Sequence, residues 1–146
     1  MVKELAKERS IAGHFLAEMR DAQVQQDPMR FRRNLERIGE VLALEMSRTM
    51  EYVEKEVVTP LGIAQVPMLT EQPVLATILR AGLPLHQGML NYFDRADNAF
   101  VSAYRKHRKG EDGFDIEVEY LSSPPLHDRV LVLCDTSSAR ARTPRA

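Results

Sequence analysis

The chain has 146 residues, 44% of them hydrophobic, with 20 Lys and Arg against 21 Asp and Glu and a net charge of −1. That length suits one compact domain with a real core, and so even a charge balance argues against nucleic acid or an anionic membrane as partner. Cys134 is the only cysteine, which excludes an internal disulfide, and the four histidines show no metal-ligand spacing with it or with one another.

A reducing cytoplasm fits that cysteine usage. The opening MVKELAKERS is charged rather than signal-like, and no apolar run approaches the ~20 residues of a membrane helix; neither export nor membrane insertion is expected. The first element is a helix with Ser10 as its cap and Ile11, Phe15, Leu16 and Met19 on one face. Asp27 caps a second helix and Pro28 opens it. Phe31, Leu35, Ile38, Leu42 and Met46 then recur at helical spacing, leaving Arg32 and Arg33 in solvent. After about Met50 the pattern changes to Glu56–Thr59, then Pro60-Leu61-Gly62, then Ile63–Val66, a hairpin or arm. Such an arm packs either on a neighbouring subunit or on its own chain.

From Pro73 onward strands and helices alternate. Val74–Leu79 is short, branched and bounded by Pro73 and Gly82, which describes a buried strand. Arg80 ends it, Ala81-Gly82 can turn, and Pro84 suits the first turn of a helix reaching Tyr92. Strands at Ala99–Tyr104 and Val130–Cys134 complete a mainly parallel α/β sheet. Between these two lies an insertion: the basic run Arg105-Lys106-His107-Arg108-Lys109, the turn Gly110-Glu111-Asp112-Gly113, and a strictly alternating Phe114–Tyr120. Its acids Asp115, Glu117 and Glu119 can pair with the basic limb across a hairpin, which serves as a flap over the sheet edge or as plain structure.

Three strand ends thus carry polar groups: Arg80 after Leu79, Arg105 after Tyr104, and Asp135 after Cys134. Parallel strands place all three on one rim, where open α/β sheets collect ligands. Guanidinium forks bind phosphate oxygens in pairs, and a carboxylate accepts from hydroxyls, so the set suits a sugar phosphate. Singly, each has a plainer role: Arg80 paired with a structural carboxylate, Arg105 in a solvated basic cluster, Asp135 as a loop cap. Cys134, inside an apolar run, is better read as a core thiol than as a nucleophile.

Ile78-Leu79-Arg80-Ala81-Gly82-Leu83, Ala103-Tyr104-Arg105 and Val130-Leu131-Val132-Leu133-Cys134-Asp135 resemble uracil phosphoribosyltransferase in order and spacing. Phe31-Arg32, Ile38-Gly39 and Val58-Thr59-Pro60-Leu61 are similar to that family's N-terminal half, so the resemblance covers about Asp21 to Asp135. It implies a phosphoribosyltransferase-like fold over residues 1–135, made of N-terminal helices (1–52), an arm (53–72) and an α/β core with a β-hairpin flap (73–135). It further implies pyrimidine salvage: uracil and phosphoribosyl pyrophosphate give UMP and pyrophosphate, with Mg²⁺ accompanying the pyrophosphate. Arg80 and Arg105 would contact the phosphoribosyl pyrophosphate, while Asp135 and Thr136 would begin the loop around its ribose and 5-phosphate. GTP as an effector and a homo-oligomer of the complete protein also belong to the resemblance.

Residues 136–146 depart from the family. Its phosphate loop is built of small residues and glycine, whereas this chain reads Ser137-Ser138-Ala139-Arg140-Ala141-Arg142-Thr143-Pro144-Arg145-Ala146 without a glycine. The family's later strands and uracil-binding loop have no counterpart in the sequence. The expectation is a fold incomplete at its C-terminus, from truncation or frame shift, with a divergent Arg-rich tail and doubtful activity; alternatively its arginines stand in for the cradle. A different class of reading is a non-catalytic nucleotide- or RNA-responsive module of the same fold, resting on the Arg105–Lys109 run and the tail arginines.

Overall fold

The structure is a computed structural model that describes residues 4–107 and 114–136. Arg108 and Lys109, the expected turn at 110–113 and the tail 137–146 lie outside the described residues. In chain order the elements are α1 (Ala12–Arg20), α2 (Pro28–Ser47), β1 (Tyr52–Thr59), β2 (Gly62–Leu69), β3 (Val74–Leu79), α3 (Leu83–Tyr92), β4 (Asp97–His107), β5 (Phe114–Ser122) and β6 (Leu131–Cys134).

α2 begins where its sequence demands. The Asp27 carboxylate accepts from the backbone N–H of Met29 at 3.0 Å and of Arg30 at 3.1 Å, and Pro28 occupies a position with no intrahelical donor to lose. Leu35 and Ile38 are buried on the predicted face, with Phe31, Leu42 and Met46 half-buried beside them. α1 starts differently from expectation. Ile11 rather than Ser10 holds the cap position, no side chain caps it, and Ser10 contributes only its carbonyl to the Gly13 N–H at 3.1 Å. Each residue turns a helix by about 100°, so the buried place falls to Ala12 and leaves Ile11 59% exposed.

α1 lies on α2 through polar ties at the margin of the core. Asn34, fully buried, donates to Glu18 at 2.7 Å, and the Arg37 guanidinium sits 5.1 Å above the Phe15 ring. α2 in turn crosses α3 at backbone contact. A Cβ on Gly88 would meet the Glu36 carbonyl carbon at 2.8 Å, and one on Gly39 would run into the Leu85 carbonyl oxygen. Only glycines allow this approach, and it brings Ile38, Leu85, Met89 and Phe93 together over Leu75 and Cys134 of the sheet.

The sheet order is β5-β4-β3-β6. β3 runs parallel to both neighbours, aligning Val74 with Asp97 and with Leu131, while β5 joins the far side of β4 antiparallel. Helices on one face and a mainly parallel sheet give the α/β architecture that the strand–helix alternation predicts. Val74, Leu75 and Thr77 of β3 are fully buried, as a central strand requires.

Two hairpins differ from their sequence outline. β1 and β2 pair over their full eight residues, from Tyr52 opposite Leu69 to Thr59 opposite Gly62. Leu69 packs at the edge of the core and the Tyr52 hydroxyl donates to the Ser47 carbonyl at the end of α2 at 3.1 Å, while most of the hairpin extends away from the other sheet. β4 continues past the predicted Tyr104 because β5 extends its ladder, from Phe100 opposite Ser122 to His107 opposite Phe114, with one irregularity between Ser102 and Ala103. The β4–β5 hairpin therefore carries its ladder beyond the end of β3. Lys106 is aligned with Asp115 in this ladder, an acid–base register of the kind the alternation suggests.

Candidate active site at the strand ends

The register sets the rim. Thr77 of β3 is level with Cys134 of β6, and Leu79 is level with Ser102 of β4. Asp135 and Thr136 thus leave β6 beside the last turns of β3, and Arg80 leaves β3 on the same side of the sheet. The Leu79–Arg80 peptide is cis. Arg80 is followed by a turn in which the Gly82 N–H donates to the Ile78 carbonyl at 3.3 Å and the Leu83 N–H to the Arg80 carbonyl at 3.2 Å.

Gly82 is in this turn for a reason the sequence did not suggest. Its φ of −74° and ψ of −13° are ordinary helical values that any residue adopts. Space is what demands glycine: a Cβ here would be 2.8 Å from the Cys134 carbonyl oxygen and would collide with Thr77 Oγ1. That hydroxyl donates to the same Cys134 oxygen at 3.0 Å in a fully buried setting. Thr77 was hidden in an apolar run, where its one polar atom was the only available signal.

Arg80, Ala81, Pro84 and Thr136 line a cleft of about 580 Å³ whose other wall comes from α1 and α2, including Arg20, Arg32, Phe31 and Leu35. Among the described residues, three arginines and one hydroxyl thus border a partly apolar hollow that no carboxylate lines. The acids of the adjoining helices are engaged elsewhere. Asp21 caps the Gln23 and Val24 amides, and Glu36 pairs with Arg33 at 2.6 Å and accepts from Asn91. These contacts hold both carboxyls below their ordinary range, led by the Val24 amide for Asp21 and by Arg33 for Glu36. Glu18 is likewise lowered, first by the Asn34 amide and then by Arg30 against the opposing cost of burial. The cleft keeps its positive character, and guanidinium groups so placed favour a phosphate.

Arg105 is not at a strand end. It lies within β4, three residues beyond Ser102 and opposite Ile116, because the β5 ladder carries β4 onward. Its backbone is therefore farther out from the rim than those of Arg80 and Asp135. Arg20 and Arg32 join the cleft only through the packing of α1 and α2, for which the sequence holds no local sign. Cys134 is buried, and burial pushes its thiol up to about 11, which leaves it protonated and without nucleophilic character at neutral pH. Among the described residues no three His, Cys, Asp or Glu side chains are grouped to hold a metal ion, and no helix is long and apolar enough to cross a membrane.

The family model described as uracil phosphoribosyltransferase matches residues 6–143. A uracil phosphoribosyltransferase of Porphyromonas gingivalis is 52% identical over 92% of this chain and 62% of its own length. Another from Methanothermobacter thermautotrophicus is 36% identical over 80% of this chain and 54% of its own. Among solved structures, the AQ2163 protein from Aquifex aeolicus superposes with a TM-score of 0.72 at 26% identity, over 92% of this chain and 62% of that one. The chain therefore spans 62% or less of the length of these relatives. With the family model matched over most of its residues, it belongs to the uracil phosphoribosyltransferase family.

Proposed function

We propose that this chain carries the phosphoribosyl pyrophosphate half of a uracil phosphoribosyltransferase site, for transfer of the phosphoribosyl group to uracil with release of UMP and pyrophosphate. The supporting observation is the cationic cleft in which Arg80 and Thr136 meet, beside Asp135 on the same rim. Breaking the anomeric carbon–oxygen bond leaves an oxocarbenium-like ribose and a departing pyrophosphate. Catalysis then depends on placed charge, not on a protein nucleophile. Arg80 would neutralise the pyrophosphate, Asp135 would accept from ribose hydroxyls, and Thr136 would open the segment around the 5-phosphate. Arg20 and Arg32 raise the positive potential of the approach. Mg²⁺ would arrive with the pyrophosphate as part of the substrate; hard oxygens of the phosphates suit it better than this rim of guanidiniums with one carboxylate. Uracil as acceptor rests on the family and on the names of its relatives.

Calorimetry with magnesium phosphoribosyl pyrophosphate tests this reading. Wild type releases binding heat, and Arg80→Ala weakens the affinity at least roughly tenfold, the scale of one lost charge-assisted contact. Equal affinities in the two proteins would sink it. UMP formation from uracil, followed in the same preparation, reports whether the acceptor half is present.

Assembly of copies is the companion proposal. Val58 is 85% exposed, Leu61 101% and Ile63 67% at the hairpin tip, an apolar surface that a single copy leaves in water.

A further inference from the structure

We infer that Thr77 is a positioning residue that holds the Arg80 turn and the Asp135 strand end at a common height, an inference that rests on the site proposed above. Thr77 touches no part of that site. Its hydroxyl lies one step behind it, where three backbone segments meet.

Residues 74–79 read Val-Leu-Ala-Thr-Ile-Leu, so Thr77 is the one side chain of β3 with a hydrogen-bonding atom. It is 0% exposed, and a buried hydroxyl without a partner is costly. The partner it takes is the Cys134 carbonyl, 3.0 Å away across the β3–β6 seam, in the residue immediately before Asp135. The same oxygen also blocks the place where a side chain on Gly82 would go, so the α3 entrance rests against it. One atom thereby meets the end of β6 and the turn that follows Arg80.

β6 is four residues long and, among the described strands, pairs with β3 alone. So short a ladder leaves few bonds to fix its end. A side-chain bond added at the last ladder position fixes where Asp135 emerges relative to Arg80. The pyrophosphate and ribose ends of one substrate would then meet groups preset in spacing, which is the condition for productive placement. The chain also leaves no room for an alternative spacer, since Gly82 already fits against the hydroxyl without a side chain of its own.

Thr77→Val keeps the shape and removes the bond; Thr77→Ser keeps the bond. Amide hydrogen exchange followed by NMR, beside calorimetry with magnesium phosphoribosyl pyrophosphate, separates positioning from general stability. In Thr77→Val the Gly82 and Asp135 amides exchange roughly tenfold faster and the affinity falls roughly tenfold, the scale of one buried hydrogen bond. Ala99 and Val101 of β4 keep their protection, and Thr77→Ser restores wild-type exchange and affinity to within about threefold. Gly82→Ala approaches the same contact from the other side and reproduces the exchange pattern should the valine variant fail to fold. Unchanged exchange at Gly82 and Asp135, a loss of protection spread evenly along β3 and β4, or a serine variant that behaves like valine would each overturn the inference. Should the wild-type chain give no heat with the substrate, the proposed function falls, and the exchange pattern alone decides the coupling.

Discussion

β3 and the β1–β2 hairpin are both built from branched apolar residues, yet they end in opposite environments. Leu75 is 0% exposed beneath the helices and Val74 0% exposed beside Ala76 and Ala99, whereas Val58 and Leu61 are 85% and 101% exposed at the hairpin tip. Composition does not separate them; neighbours do. β3 has a strand on each side and α3 returning across its face, while the hairpin is a two-stranded sheet that, among the described residues, adds only Leu69 to the core. The contrast shows how the fold divides its labour. A central strand buried between two neighbours backs the cleft, and an apolar arm stands exposed in the single copy.

The largest expected effect lies in the central strand. Leu75→Ala should cost about 3 kcal/mol, the usual cost of truncating a fully buried leucine whose surroundings cannot collapse, measured by urea unfolding. A loss below about 1 kcal/mol would mean that β3 is not the well-packed member of the pair. Asp27→Ala should cost about 1 kcal/mol by freeing the two capped amides of α2, without altering affinity for phosphoribosyl pyrophosphate.

Acid sharpens the same comparison, because the ionised groups that tie helices together lie on the core side. Glu36 has its folded pKa lowered by Arg33 and then Asn91, from an ordinary 4.5. A lowered carboxyl adds stability above its unfolded pKa and loses it as pH falls through the folded value. Stability should therefore decline below about pH 4.5, and Glu36→Gln should flatten that decline; thermal unfolding across pH 2 to 6 checks it, and parallel curves would refute it. The smallest effect on the single copy belongs to the hairpin. Ile63→Ser, at an exposed tip, should alter unfolding by no more than about 0.5 kcal/mol while lowering the mass seen by light scattering, if the arm joins copies.

Much of this molecule is written locally. The Asp27-Pro28 start of α2, the spacing of Leu35 and Ile38, the limits of β3 and the strand–helix–strand order depend on backbone angles, caps and periodicity that neighbouring residues specify. The place of Arg80 just after β3, and the family motif around it, were legible for the same reason. Less was legible wherever a distant segment decides. The cap of α1 moved one residue to seat Ala12, and Arg105 passed from a strand end into a strand because β5 extends the ladder.

By itself, then, the amino-acid order determined the α/β class, the principal elements, and a rim bearing Arg80, Asp135 and Thr136. Tertiary structure alone decided that Arg20 and Arg32 share the Arg80 cleft, and that Gly82 is needed for space and not for turning. It alone joined Thr77 to Cys134 across 57 positions of sequence. Such facts depend on the approach of surfaces far apart in the chain, and neither propensity nor spacing encodes a distance between them.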